Sequence, residues 1–131
     1  MDNRKDNQYY INKIVSDLSF LIKHTEGLTQ EDLEANEILI DSVMFRLIQI
    51  SESSDKLTDE FKSTHNTIPW RAMKGLRNRI VHEYGNVNLS IVYNTVTQDL
   101  PMLLIDLTEI TKRFSALLNF FNIKQERKQD A

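Results

Sequence analysis

The sequence of 131 residues contains no cysteine, only three glycines and only two prolines. Without cysteine the protein can form no disulfide, no thiolate metal site and no cysteine nucleophile, a composition that fits a reducing cytoplasm. No apolar run reaches the roughly 18 residues that a membrane span needs. The N-terminal segment 1–7 is polar and lacks the apolar core of a signal peptide. We therefore expect a cytoplasmic protein that neither spans a membrane nor is secreted.

The formal net charge is −3, which argues against a protein that coats long nucleic acids with a basic surface, because such binding depends on neutralising phosphates. A small basic cleft on an acidic body is still compatible with this charge. Arg71, Lys74, Arg77 and Arg79 place four cations within nine residues, next to His82. A charge run is commonly a solvated helix face, so a solvated face and a functional cleft both stay open at this point.

Apolar residues recur at helical spacing along most of the chain, and this pattern predicts an all-α fold. We expect a single domain over residues 1–131, built as a four- to five-helix up-and-down bundle, with the polar segment 1–6 and the charged segment 124–131 frayed. The first predicted helix is Asp6–His24. The second runs from a Thr29 cap to Phe61, with a kink or division at Ser51–Asp55, and the third is Pro69–Glu83. The last two are Leu89–Asp99, with an Asn88 cap, and Asp99–Ile123. Gly27 and Gly85 are the predicted stops of the first and third helices, and Pro101 is predicted to separate the last two.

The second predicted helix is apolar on more than one side. Ile38, Leu39, Phe45 and Ile50 widen its stripe of core-facing residues. A helix that is apolar on more than one side is buried on more than one side. We therefore expect one flank in the core and another against a partner subunit.

The segment Arg77-Asn78-Arg79-Ile80-Val81-His82-Glu83-Tyr84 combines residue types that can break a phosphodiester without a metal. Arginine is a fixed cation whose planar donors fit phosphate oxygens, and histidine moves protons near neutral pH. His82 could act as base or acid, Arg77 could stabilise charge on the phosphorane, and Asn78 could orient the phosphate or the imidazole. Arg71, Lys74 and Arg79 are candidate RNA-binding cations.

The spacing of this segment sets a geometric condition. Asn78 and His82 are four residues apart and share a helix face. Arg77 and His82 are five residues apart, which turns them about 140° from each other on an ideal helix. Either the helix unwinds near His82, or two copies of the motif meet across a two-fold axis and form a composite cleft.

Other kinds of site have little support in the sequence. No pair of His, Asp and Glu residues falls at a zinc spacing, and no glycine-rich phosphate loop occurs. Neither a metal nor a cofactor is therefore expected.

The segment from Ile68-Pro69-Trp70-Arg71 through Gly75-Leu76-Arg77 to Tyr84 resembles the HepT toxins of the HEPN superfamily. The likeness extends over nearly the whole chain in helix count, in the late Leu100-Pro101 and in the charged tail. Arg-x4-His alone is a weak signal, but Asn78, Tyr84 and Pro69-Trp70-Arg71 make it specific.

The resemblance implies a homodimeric, metal-independent endoribonuclease that cleaves RNA through the ribose 2′-hydroxyl, with Arg77 and His82 as the catalytic pair and Asn78 as the polar residue beside the arginine. It also implies a toxin–antitoxin pair, in which a minimal nucleotidyltransferase antitoxin transfers AMP from ATP to Tyr84. Negative charge and bulk on Tyr84 would then oppose the entry of RNA.

Two alternatives stay open. The same cationic cleft would suit a HEPN binding module without nuclease activity, which docks a nucleotidyltransferase or a nucleotide. The chain could also be a purely structural helical dimer whose motif is a solvated helix end. RNA sequence preference cannot be read from the chain, because no base-reading motif is visible.

Overall fold

The structure, a computed structural model, describes residues 6–113 and residue 120. Within this part of the chain every regular element is helical, so the predicted all-α class is confirmed. The elements are α1 (Asn7–Thr25), α2 (Gln30–Glu34), α3 (Glu37–Asp55), α4 (Asp59–Thr64), α5 (Trp70–His82), a 3-10 turn (Tyr84–Asn86), α6 (Leu89–Asn94), a π-helical turn (Thr95–Asp99) and a helix over 100–113, called α7 here. The predicted end of the last helix and the predicted frayed segments 1–5 and 124–131 lie outside the described residues.

The first helix agrees with its prediction to within one residue at each end. Asp6, placed in the frayed segment by the sequence, instead caps α1 by accepting a hydrogen bond from the backbone N–H of Tyr9. Gly27 has a φ of 75°, which is the left-handed conformation predicted for the stop after this helix. Thr29 then caps α2 as predicted, in a reciprocal capping box with Asp32.

The predicted second helix is three helices, α2, α3 and α4. The break before α3 was not predicted, whereas the division considered at Ser51–Asp55 occurs directly after Asp55, between α3 and α4. The Asn36 side chain accepts the N–H of Leu39 at the start of α3, and the Thr58 side chain accepts the N–H of Phe61 at the start of α4. Short polar side chains compete for backbone N–H groups in this way and start new helices. α3 runs unbroken through the predicted kink and ends at Asp55.

Both ends of α5 are fixed by local contacts. The helix begins directly after Pro69, and the Trp70 indole N–H donates to the carbonyl oxygens of Lys62 and His65 at 3.2 and 3.1 Å. This ties the start of α5 to the end of α4. At the other end the N–H of Glu83 bonds the carbonyl of Arg79 at 2.8 Å, and a 3-10 turn follows. Gly85, the predicted stop, lies within that turn.

Pro101 does not separate two helices, contrary to the prediction. Asn88 caps α6 as expected, but the N–H of Leu100 then donates to the carbonyl of Thr95, five residues back. Such a π turn changes the hydrogen-bond register immediately before the proline, where a regular helix would meet the missing N–H and the ring clash of Pro101. The chain therefore continues as a helix from α6 into α7.

α3 lies at the centre of the fold, with α1 packed on one side and α5 on the other. Every described helix except α4 contributes a buried apolar side chain to one core cluster. The most deeply buried members of that cluster include Ile14, Leu18, Leu21, Leu33, Val43, Ile80, Val92, Val96 and Leu107. No helix in the described ranges combines the length and hydropathy of a membrane span. The central position of α3 brings it alongside the charged motif of α5.

Candidate active site

The polar residues of α5 lie on its outer face and on the flank toward α3. Asn78 and His82 share the outer face, as their spacing predicts, together with Arg71 and Lys74. All four are exposed. Ile80 faces the other way and is fully buried, so the core fixes the rotation of α5 and holds the outer face toward solvent.

Arg77 reaches from α5 to α3. Its Nε and Nη2 donate to one carboxylate oxygen of Glu52 at 3.1 and 2.8 Å, and its Nη1 donates to the Asn78 side-chain oxygen at 3.1 Å. Both members of the ion pair are partly exposed. Asn78 therefore orients the arginine, a role different from the two suggested by the sequence, which were to orient the phosphate or the imidazole.

The pattern of these bonds leaves donors available on Arg77. A guanidinium carries five N–H groups, one on Nε and two on each terminal nitrogen. Glu52 and Asn78 engage three of them. Among the described residues, one N–H on each terminal nitrogen is without a partner, and two neighbouring donors of this kind can hold a phosphate bidentately.

His82 is the last residue of α5, and its side chain is exposed. Within the described ranges it makes no hydrogen bond to another side chain, so its imidazole is open to an incoming group. α5 is α-helical from Arg77 through His82 and leaves helical geometry only at Glu83. The helix therefore does not unwind between Arg77 and His82 to bring them onto one face. Of the two arrangements that the spacing allows, unwinding or two-fold pairing, only the two-fold pairing of two subunits stays open.

Tyr84 turns back toward α3 within the 3-10 turn that follows α5. Its hydroxyl donates a hydrogen bond of 2.7 Å to Asp41 Oδ1. The neutral phenol is favoured by this bond, by partial burial and by the negative charge of Asp41, and the pKa of Tyr84 is raised above its ordinary value. The side chain is still 49% exposed, so the hydroxyl is held in place and accessible.

Substitution of Asp41 by asparagine is expected to lower the pKa of Tyr84, because the amide keeps an acceptor but loses the charge. The raised pKa of the folded protein stabilises it below about pH 10, the ordinary tyrosine value. That contribution is lost as the pH rises through the folded-state pKa. The measurement is the ultraviolet difference titration between the wild type and Tyr84→Phe, repeated in the Asp41→Asn background. An Asp41→Asn protein with an unchanged Tyr84 titration would contradict the assignment.

The other predicted cations do not converge on Arg77. Arg71 and Lys74 are exposed on the outer face of α5, and within residues 6–113 neither forms an ion pair. Arg79 lies on a different side of the helix, where it borders a groove of about 720 Å³ between α5, α6 and α7. Arg71 and Lys74 thus accompany His82 on one surface, whereas Arg79 does not. No group of three or more His, Asp or Glu side chains in the described part of the chain is arranged to hold a metal ion.

Large apolar side chains surround the charged contacts between α3 and α5. Ile38 and Phe45 are 81% and 57% exposed, and Val81 is 44% exposed. Ile38 and Phe45 lie on the same side of α3 as Asp41, at helical spacings of three and four. We call Ile38, Phe45 and Val81 the apolar patch. Exposed patches of this kind mark interaction surfaces.

Sequence reasoning missed the two carboxylates that organise the site. Asp41 and Glu52 come from α3, at sequence separations of 43 and 25 residues from Tyr84 and Arg77. The available signal was the position of both acids on one side of a helix rich in apolar residues, 11 residues or about three turns apart. Recognising it required knowing that α3 and α5 pack side by side.

The chain belongs to the family described as Ribonuclease HepT-like, whose family model matches residues 14–110. The match includes the whole segment from Arg77 to Tyr84, and it confirms the resemblance to HepT proteins stated from that segment.

Individual relatives agree with this assignment. A protein of Caldanaerobacter subterraneus subsp. tengcongensis named "Putative RNase" is 30% identical over 79% of this chain and 93% of its own length. A "Probable ribonuclease HepT" of Thermococcus cleftensis is 27% identical over 76% of this chain and 91% of its own length. A Methanocaldococcus jannaschii protein named "Gamma-glutamylcyclotransferase and putative RNase" is 30% identical over 76% of this chain, but only 45% of that protein is covered. No solved structure matches the chain.

Proposed function

We propose that this protein is a metal-independent endoribonuclease toxin of a toxin–antitoxin pair, active in the cytoplasm as a homodimer of single-domain subunits. The observation that carries the proposal is the geometry of Arg77. Its guanidinium is held by Glu52 and Asn78 with one N–H left on each terminal nitrogen. The exposed imidazole of His82 lies at the end of the same helix, in a chain that belongs to a ribonuclease family.

The proposed reaction is a transesterification. The ribose 2′-oxygen attacks the phosphorus atom, the 2′-hydroxyl proton passes to the His82 imidazole, and the bond from phosphorus to the 5′-oxygen breaks. The leaving 5′-oxygen then takes that proton from the His82 imidazolium, which restores the neutral imidazole. Arg77 stabilises the charge that develops on the phosphorane, where fixed donors act most strongly. The products are a 2′,3′-cyclic phosphate and a 5′-hydroxyl.

A second copy of the chain supplies what one copy lacks. On the straight α5 helix, Arg77 and His82 point about 140° apart, so one subunit alone does not aim both at the same phosphate. Val81 of the apolar patch lies one helical turn from Arg77 on α5, and a two-fold axis through the patch would face the two α5 ends toward each other. Arg71 and Lys74 would then line the cleft as RNA-binding cations.

Neutralisation is proposed to occur by transfer of AMP from ATP to Tyr84, catalysed by a minimal nucleotidyltransferase antitoxin. The Tyr84 hydroxyl is accessible and lies two residues after His82. An adenylate on this residue would bring negative charge and bulk to the end of α5. Both would oppose the approach of an RNA phosphate to Arg77 and His82.

The test of this function is cleavage of RNA by the purified protein in the presence of EDTA. Cleavage that leaves 2′,3′-cyclic phosphate ends, together with growth arrest on expression, is expected. Co-expression with a cognate minimal nucleotidyltransferase should add the mass of one or more AMP groups at Tyr84. A chain that cuts no RNA under any condition yet binds that transferase would instead be the non-catalytic HEPN binding module.

Substitution of Glu52 by glutamine is expected to lower kcat for RNA cleavage about tenfold with little change in KM, because a weaker hydrogen bond to Arg77, worth about 1.4 kcal/mol less, loosens its orientation. Partly exposed ion pairs add at most about 1 kcal/mol to stability, so thermal unfolding should change little. The measurement is steady-state cleavage of a short labelled RNA. An unchanged kcat would show that Arg77 does not need Glu52.

Substitution of Phe45 by glutamate is expected to convert the dimer to a monomer and to abolish cleavage, because a charge would be buried in the centre of the apolar patch. Ile105 on α7 has the same exposure, 57%, and Ile105→Glu is the matched control. Sedimentation velocity reports the mass of each variant. Dissociation by Ile105→Glu but not by Phe45→Glu would place the interface on another surface.

A further inference from the structure

Asp41 holds the oxygen atom that would be modified in the proposed neutralisation. The hydrogen bond from the Tyr84 hydroxyl to Asp41 Oδ1 is 2.7 Å long and joins α3 to the turn after α5. Both side chains are exposed, so a transferase can reach the hydroxyl while the carboxylate still contacts it. Within the segment Arg77–Tyr84, the hydrogen bond to Asp41 is made by Tyr84 alone.

We propose that Asp41 is a catalytic residue of AMP transfer to Tyr84, serving as the acceptor that aligns the phenol and takes its proton. The inference rests on the proposed modification of Tyr84, and it adds a residue of the toxin's own chain to a reaction catalysed by another protein. The modified protein would thereby contribute to its own neutralisation.

The step is a nucleophilic displacement at the α-phosphorus of ATP. A bond forms between Tyr84 Oη and the α-phosphorus, and the bond from that phosphorus to the bridging oxygen of the β-phosphate breaks. Pyrophosphate leaves with the bonding electron pair. The phenolic proton moves to Asp41 Oδ1 as the new bond forms and then exchanges with water.

A proton acceptor is needed because the phenol is neutral near pH 7. The raised pKa of Tyr84 keeps the phenolate scarce in the resting protein. The hydroxyl must therefore lose its proton during the transfer, when the forming bond to phosphorus makes the oxygen far more acidic. A carboxylate already at hydrogen-bond distance can accept that proton without rearrangement, and such general-base assistance is typically worth about 10²–10⁴ in rate.

A purely structural role for Asp41 makes the opposite prediction. If Asp41 only anchors the turn and suppresses ionisation of Tyr84, its replacement by asparagine would free more phenolate and speed AMP transfer. If Asp41 accepts the proton, the same replacement slows transfer. The direction of the change in kcat therefore separates the two roles.

The experiment measures AMP transfer from α-labelled ATP with magnesium, using a cognate minimal nucleotidyltransferase as the catalyst and the full chain as the varied substrate. Asp41→Asn is expected to lower kcat by about tenfold or more with KM changed less than about twofold, and Asp41→Glu should recover part of the rate because it keeps a carboxylate. Asp55→Asn, an exposed acid at the end of the same helix, is the matched control and should leave the rate unchanged. Circular dichroism melting checks that each variant is folded.

Each outcome bears on a separate claim. A wild-type chain that takes up no AMP at Tyr84 would overturn the proposed modification and this inference with it. Labelling of the wild type at Tyr84, with Asp41→Asn transferring at an equal or higher kcat, would overturn the role of Asp41 alone. A fall in kcat for Asp41→Asn, partial rescue by Asp41→Glu and no label on Tyr84→Phe would support it.

Discussion

Replacement of His82 by alanine is expected to lower the rate of RNA cleavage by about 10²–10⁴, the usual contribution of a general acid–base group. Histidine is the side-chain type that moves protons near neutral pH, and His82 places an imidazole at the exposed end of α5. Because the His82 side chain is exposed and makes no hydrogen bond within the described part of the chain, its removal should change neither the fold nor the state of association. The measurements are single-turnover cleavage and growth after induced expression.

A matched histidine exists elsewhere in the chain. His24 is also exposed and also lies in the last turn of a helix, so His24→Ala should cleave RNA at the wild-type rate. If His82→Ala cuts as fast as the wild type, the assigned mechanism is wrong.

Replacement of Arg77 by lysine is expected to lower kcat by about 10²–10³, comparable to the loss of one oxyanion-type donor. Lysine keeps the positive charge but has a single ammonium group in place of the planar fork. It cannot bond Glu52 and Asn78 and still present two parallel donors to a phosphate. The expected loss therefore falls mainly on kcat, since the attraction of RNA by charge is retained.

Arg113→Lys is the control for this substitution, because Arg113 is exposed on α7, away from the Arg77 contacts. It should leave cleavage unchanged. If Arg77→Lys retains wild-type kcat, then charge alone is sufficient and the geometry set by Glu52 has no role in the reaction.

Local signals in the sequence were enough to predict most helix ends. Caps such as Thr29 and Asn88, and the left-handed Gly27, act through bonds within a few residues, so the sequence pattern contains the whole cause. The break before α3 was missed because Asn36 could equally be a polar residue on a solvated helix face, whereas the division before α4 was one of the two possibilities predicted for Ser51–Asp55. Pro101 was misread because the compensating π turn has no distinct residue signature.

The residues of the site also fall into two groups, those that the sequence could predict and those that it could not. Arg77, Asn78, His82 and Tyr84 could be proposed from one segment, because the required side chains occur at fixed spacing along α5 and the turn after it. Asp41 and Glu52 could not be proposed from that segment, because their roles depend on packing between helices distant in sequence. Whether Arg77 and His82 share a phosphate depends on a further step, the pairing of two subunits.

The central claim is that Arg77 and His82 from two subunits form one composite site. Arg77→Ala and His82→Ala subunits are co-expressed with different affinity tags, and tandem purification isolates the mixed dimer. In that dimer the remaining Arg77 and the remaining His82 belong to different subunits. We expect this mixed dimer to cleave RNA well above the rate of either mutant homodimer. The contradictory result is that this mixed dimer is as inactive as both mutant homodimers, while a mixed dimer of wild type with the Arg77→Ala/His82→Ala double mutant is active. That result would show that each site forms within one subunit.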